Sequence, residues 1–110
     1  MKTIEEINKE IQDLLDDYKL ALTTAEENRI KGKIADLRVI ALYLSTNPRE
    51  EYVKAEAEKL DKEINVLCQR FGEWKQARPF SSSYREYESQ AHIPHKRAQL
   101  KRLKYVLNLD

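Results

Sequence analysis

Apolar residues recur at alternating steps of three and four in three stretches of this chain, and this spacing constrains the fold more than any other feature. The first seam consists of Ile4, Ile7, Ile11, Leu14, Tyr18 and Ala21. The second consists of Ile30, Ile34, Leu37, Ala41 and Leu44, and the third of Val53, Ala57, Leu60, Ile64, Leu67 and Phe71. Such spacing places the residues on one stripe of an α-helix, whereas a half-buried strand needs strict alternation. The sequence therefore predicts an all-α fold.

Capping residues predict where these helices begin. Thr3 with Glu6, and Thr24 with Glu27, have the three-residue spacing of a capping box. Pro48 follows a Ser-Thr-Asn run, which is typical of a proline at the first helical position. We therefore expect helices that begin just after Thr3, near Thr24 and at Pro48.

The chain is expected to divide into three parts. Residues 1–72 form an acidic, small antiparallel bundle of three heptad-patterned helices, which ends at Gly72 in a left-handed cap. Residues 73–93 form an aromatic and basic linker with room for a short helix, and residues 94–110 form a basic amphipathic helix. Two alternatives stay open for residues 1–46, a hairpin or one long bent helix.

The second and the last helices carry further apolar residues. Val39, Ile40, Leu42 and Tyr43 widen the apolar face of the second helix, which predicts that this helix is the most buried element. In the last helix, Leu100, Leu103 and Leu107 keep helical spacing and are expected to pack against another surface.

Charge is unevenly distributed although the formal net charge is only +1. Residues 1–63 hold 11 Lys or Arg against 15 Asp or Glu, whereas residues 64–110 hold 9 against 4. Such asymmetry arises either when acidic and basic helices of one chain pair with each other or when one end binds an anionic partner.

The region from Phe71 to Tyr87 holds five of the nine aromatic residues, interleaved with basic ones. Aromatic and arginine side chains dominate the binding energy of protein interfaces, and they also stack on bases and contact phosphates in nucleic acids. The alternative is structural, with Trp74 and Phe80 closing the end of the bundle. The candidate partner-binding residues are Trp74, Arg78, Phe80, Tyr84, Arg85, Tyr87, Lys101, Arg102 and Lys104.

Residue types that carry catalysis are sparse, and we predict no enzyme, no catalytic residue, no cofactor and no metal. His92 and His95 are the only histidines, and Cys68 is the only cysteine, so the usual four ligands of a structural zinc site are missing. Neither a nucleophile elbow nor a phosphate-binding glycine loop occurs. No apolar run could span a bilayer or act as a signal peptide, which leads us to expect a cytoplasmic protein without a membrane partner.

The function expected from these features is non-catalytic protein–protein interaction, as an assembly subunit, adaptor or inhibitor that uses an aromatic and basic C-terminal arm. The partner is another protein, further copies of the chain in a homo-oligomer, or a larger assembly, and no small-molecule substrate is expected. The alternative is a nucleic-acid-binding accessory protein that uses the basic C-terminal segment.

Overall fold

Four α-helices and no strand make up the regular structure of residues 1–77 and 91–109, the part of the chain that the computed structural model describes. Side chains are described for residues 1–73 and 91–109. The helices are α1 (Ile4–Lys19), α2 (Thr24–Leu44), α3 (Glu50–Ala77) and α4 (Ile93–Val106). The prediction of an all-α fold is confirmed.

The start of α1 is where the sequence predicts it. The backbone N–H of Glu6 donates to Thr3 Oγ1 at 3.3 Å, and the Thr3 hydroxyl in turn donates to Glu6 Oε1 at 3.4 Å. Glu5 and Glu6 lie in the first turn, where negative charge is favourable beside the positive end of the helix dipole. Local capping chemistry is therefore sufficient to set this boundary.

The cap of α2 is Thr23 rather than Thr24, so the prediction was wrong by one residue. Thr23 has the extended backbone that an N-cap requires, with φ −130° and ψ 154°, and its Oγ1 accepts from the N–H of Glu26 at 3.1 Å. The Glu26 carboxylate reaches back and accepts from the N–H of Leu22 at 3.2 Å. The chain turns between Lys19 and Thr24, and α1 packs against α2, so residues 1–46 contain a helical hairpin.

The residues between α2 and α3 end α2 rather than start α3. Asn47 has a left-handed backbone with φ 54°, and its N–H donates to the carbonyl of Leu44 at 3.0 Å. Asparagine adopts this conformation more readily than most residues, which makes it a common helix C-terminal residue. The prediction that Pro48 occupies the first helical position was wrong, because α3 begins at Glu50.

The third helix runs through Gly72, which the sequence predicted to be its left-handed cap. No glycine in the described part of the chain has a positive φ, and α3 continues to Ala77. Apart from the neighbouring turns of α3 itself, a Cβ added at Gly72 would meet no atom of the described residues within 4 Å. Gly72 therefore lies at an exposed helical position, where glycine costs about 1 kcal/mol relative to alanine.

The described residues form two compact units, the first comprising residues 1–50 and 106–109 and the second residues 51–105. The core of the first unit contains Ile7, Ile30, Ile34, Leu37, Ile40, Leu44, Val106 and Leu107. In this unit the N–H of Lys2 donates to the carbonyl of Val106 at 2.7 Å, which joins the two ends of the chain. The buried apolar residues of the second unit are Val53, Ala57, Ile64, Ile93, Leu100 and Leu103. The division at residues 72 and 93 stays a prediction.

Candidate interaction surface

The predicted partner-binding residues fall into three groups in the structure. Trp74 belongs to the last turn of α3, where the structure describes its backbone. Lys101, Arg102 and Lys104 lie on α4. The remaining five lie outside the described residues, and they are Arg78, Phe80, Tyr84, Arg85 and Tyr87.

The apolar side of α4 anchors the basic residues. His92 precedes the helix with a φ of 57°, and its carbonyl accepts from the N–H of Lys96 at 3.0 Å. Ile93 is completely buried, and Leu100 and Leu103 are also buried. Together with the buried Leu107 beyond the helix end, this confirms that the three leucines pack against other parts of the chain. The apolar residues of the helix are therefore buried within the chain, while its exposed side carries the charges.

Three cations share one side of α4, and we call them the basic stripe: Arg97, Lys101 and Lys104. Their steps of four and three residues confine them to about 60° of the helix circumference. Arg97 and Lys101 are exposed and Lys104 is half-buried. Arg102 lies about 140° from Arg97 by the same geometry and is half-buried. The structure thus brings together two of the three predicted cations, adds Arg97 and separates Arg102.

The charges of α4 differ in how they are compensated. Lys96 Nζ lies 3.2 Å from Glu63 Oε2 of α3, which neutralises that lysine within the chain. An Arg97 guanidinium nitrogen lies 3.8 Å from Cys68 Sγ. Within residues 1–77 and 91–109, Lys101 and Lys104 form neither an ion pair nor a hydrogen bond. The basic stripe therefore carries at least two positive charges that no described carboxylate offsets.

Few groups in the described residues offer other chemistry. His92 and His95 are exposed, and the described side chains contain no cluster of three His, Cys, Asp or Glu residues that could hold a metal ion. Tyr52 donates a 2.8 Å hydrogen bond to Glu56, and this bond together with the carboxylate charge raises the pKa of Tyr52 above 10.0. None of the described helices is long and apolar enough to cross a membrane.

A second set of exposed residues was missed by sequence reasoning. Val39 and Leu42 were predicted to widen the buried face of α2, but they are 46% and 72% exposed. The signal that could have found them is the register of the α1 seam, which continues into α2 at Ala25, Asn28, Gly32, Ala35, Val39 and Leu42. Because α2 is a separate helix that begins after the turn, the positions that continue the α1 register lie on its exposed side.

Comparison with known proteins yields no relative: no family model matches the chain, and no curated protein or solved structure matches it significantly. Function is therefore proposed from the residues themselves, beginning with the basic stripe.

Proposed function

We propose that this is a non-catalytic, cytoplasmic helical protein that binds another protein, or further copies of itself, through its C-terminal arm, residues 73–110. It would serve as an assembly subunit, adaptor or inhibitor. The observation that carries the proposal is the basic stripe, in which Lys101 and Lys104 lack a described counter-charge while the apolar side of the same helix is buried.

A fixed helix makes an effective charged surface. Because buried leucines hold α4 in place, a partner binds its cations without ordering the backbone first, and this reduces the entropic cost of association. Complementary charge mainly raises the association rate and excludes wrong partners. The basic stripe is therefore proposed to orient an acidic partner.

Affinity is proposed to come from the aromatic and arginine residues before α4. Large aromatic and arginine side chains account for most residues whose truncation strongly weakens an interface. Arg78, Phe80 and Tyr84 are the proposed anchors, Arg85 and Tyr87 extend the surface, and Trp74 contributes to stability as well as binding.

The proposal also includes two features of the architecture that the sequence predicts. One is an antiparallel bundle of the three heptad-patterned helices, which is supported by their apolar seams and by the short connection between α1 and α2. The other is an aromatic and basic loop after α3.

Nucleic-acid binding is the second candidate function, and the geometry of the basic stripe is what favours it. Arg97 and Lys104 are seven residue steps apart, or about 10 Å along the helix, with Lys101 between them. Cations in a row at this spacing are suited to contacts with successive phosphates. Such binding weakens steeply with salt, because each phosphate contact releases condensed counterions.

The arm is tested with the triple variant Arg78→Ala, Phe80→Ala, Tyr84→Ala in the full-length chain. Proteins captured by the wild-type chain from an extract of its native cells are identified by mass spectrometry, purified, and titrated against both chains. Self-association is followed in parallel by light scattering. We expect the triple variant to lose association while its melting temperature stays nearly unchanged, because these residues are proposed to anchor a partner. If the triple variant unfolds, the arm is structural and the proposal fails.

The basic stripe is tested with Lys101→Gln, Lys104→Gln. The matched control is Lys59→Gln, Lys62→Gln, which makes the same charge change at exposed positions of α3. We expect the stripe variant to associate more slowly with a purified protein partner and to show a weaker salt dependence, while the control behaves like the wild type. Equal effects in the two variants would mean that only net charge matters.

The two candidate functions are separated with fluorescein-labelled single-stranded and double-stranded oligonucleotides of mixed sequence. The protein-binding proposal expects no measurable affinity for either at physiological salt. The nucleic-acid function would instead be established by binding whose affinity falls steeply with salt. In the stripe variant, the slope of log affinity against log salt concentration should then be smaller by about two.

A further inference from the structure

A second seam, of small and apolar residues apart from Asn28, runs along the outward side of α2, and we call it the outward seam. Its members are Ala25, Asn28, Gly32, Ala35, Val39 and Leu42. They follow steps of three and four without interruption, and every one of them is exposed. Isolated exposed apolar residues are common on protein surfaces, but a heptad register kept over about 26 Å of helix is the pattern of a helix-binding face.

The outward seam is separate from the core of the first unit. The buried seam of α2 includes Ile34 and Leu37, and at 100° per residue Val39 lies 200° beyond Leu37. The two apolar stripes therefore lie on opposite sides of one helix. Only one of them contributes to the described core, so folding of the first unit does not explain the other.

The shape of the outward seam suits a second helix. Apart from the neighbouring turns of α2 itself, no atom of the described residues lies within 4 Å of where a Cβ would stand at Gly32, and Ala35 follows three residues later. Small residues at the middle of a seam allow two helix backbones to approach closely. Val39 and Leu42, toward the C-terminal end, supply large side chains that would pack between residues of the incoming helix.

The edges of the outward seam specify the charge of its partner. With the seam residues taken as heptad positions a and d, the charged residues at the flanking g positions are Lys31 and Arg38, which line one edge, and those at the flanking e positions are Arg29 and Asp36, which line the other. These edges hold three cations and one anion, and Asp36 is already engaged in an interaction within the chain. Lys31 Nζ lies 5.5 Å from the ring centre of Tyr18, a contact that leaves its positive charge in place.

We propose that the outward seam is a docking site for an amphipathic helix of a partner protein, with apolar residues at three-four spacing and acidic residues flanking them. A second copy of α2 fits less well. In an antiparallel pair the edges with Lys31 and Arg38 would face each other, and in a parallel pair the only complementary anion is the engaged Asp36.

The test uses the full-length chain and two synthetic helical peptides of about four heptads, a length that favours helix formation. Both carry leucine and alanine at seam spacing, one with glutamate and the other with lysine at the flanking positions. Affinity is measured by fluorescence anisotropy. We expect the acidic peptide to bind at least tenfold more tightly than the basic one, and the charge reversal Arg38→Glu to reduce that preference.

Two variants of the chain locate the binding site. Leu42→Glu places a charge on the outward seam, and Gly32→Leu fills the space above its smallest residue. Each should lower the affinity of the chain for the acidic peptide at least tenfold. The control Val66→Glu, at a 44% exposed apolar position on α3, should leave that affinity unchanged. Circular dichroism verifies that all three variants stay folded.

Three results would overturn the proposal. The first is equal affinity for the two peptides or no binding of either, and the second is unchanged affinity in both seam variants. The third is a wild-type dimer in light scattering that Leu42→Glu converts to a monomer, which would identify a second copy as the occupant. This test does not involve the C-terminal arm, so its outcome is independent of the function proposed above.

Discussion

The buried seam of α2 consists of large isoleucine and leucine side chains, whereas the outward seam on the same helix holds alanine, asparagine and glycine before it reaches Val39 and Leu42. Both follow the same three-four spacing. Burial of a large aliphatic side chain contributes about 1.5–3 kcal/mol, while alanine and glycine contribute far less. Spacing therefore predicts the helix and its possible faces, and side-chain volume decides which face forms the core.

The largest effect is expected on the buried face. Ile34→Ala and Leu37→Ala should each lower the free energy of unfolding by about 2–5 kcal/mol, because they remove buried carbons and leave a cavity. Leu60→Ala should cost less, since Leu60 is half-buried. Urea denaturation followed by circular dichroism measures all three. Losses below about 1 kcal/mol at both Ile34 and Leu37 would remove the distinction between the two faces of α2.

The boundaries of α1 and α2 show how far local sequence patterns reach. Thr3 has one glutamate at the right spacing, so its cap was predictable. Thr23 and Thr24 each have a glutamate three residues later, at Glu26 and Glu27, so the pattern alone could not choose between them. The backbone decides, because Thr23 is extended and Thr24 is already helical. Repeated capping residues thus leave a one-residue ambiguity that only the turn resolves.

The ends of α2 and α3 were harder to predict, because one residue type serves two purposes. Asn47 can cap the start of a helix or end one in the left-handed region, and it does the latter. Gly72 resembles a C-terminal cap, but good helix formers such as Glu73, Lys75 and Gln76 follow it and the helix continues.

The candidate interaction surface was predictable only in part. The basic character of the last helix is visible in composition, and the shared side of Arg97, Lys101 and Lys104 follows from spacing. The neutralisation of Lys96 was not predictable, because it depends on Glu63, which is 33 residues away and which the fold brings within 3.2 Å. Contacts between distant helices set which charges remain available, and no local pattern encodes them.

The second-largest effect is expected at the start of α2. The residue at which this helix begins determines which residues lie on each of its two faces. Thr23→Ala removes the side-chain acceptor for the Glu26 N–H and should lower the free energy of unfolding by about 1 kcal/mol. Thr24→Ala, the matched control one residue later, should change it little. Chemical denaturation of the two variants side by side makes the comparison. A larger loss of unfolding free energy for Thr24→Ala than for Thr23→Ala would show that Thr24 is the N-cap, as the sequence predicted.

A smaller effect, of opposite sign, is expected at the centre of the outward seam. Gly32→Ala should raise the free energy of unfolding by about 0.5–1 kcal/mol, because alanine favours the helix and its Cβ meets no described residue outside α2 within 4 Å. Gly72→Ala, also exposed and unobstructed in a helix, should produce a similar gain. Thermal melts measure both. If Gly32→Ala destabilised the chain while Gly72→Ala did not, part of the chain would already cover the outward seam.

The smallest effect is expected at Leu42, where the comparison between the two faces is most direct. Leu37 and Leu42 are the same residue type on one helix, five positions apart, and differ in exposure, at 7% and 72%. Leu42→Ala should therefore change the free energy of unfolding by no more than about 0.5 kcal/mol, because its side chain is already in water and alanine is the better helix former. Val66→Ala on α3 is the control for truncating an exposed apolar residue elsewhere. Urea titrations of the isolated chain measure both variants, and a loss above about 2 kcal/mol for Leu42→Ala would mean that the outward seam is part of the core. A negligible loss, combined with weaker binding of the acidic peptide by the same variant, would identify Leu42 as a side chain that serves a partner and not the fold.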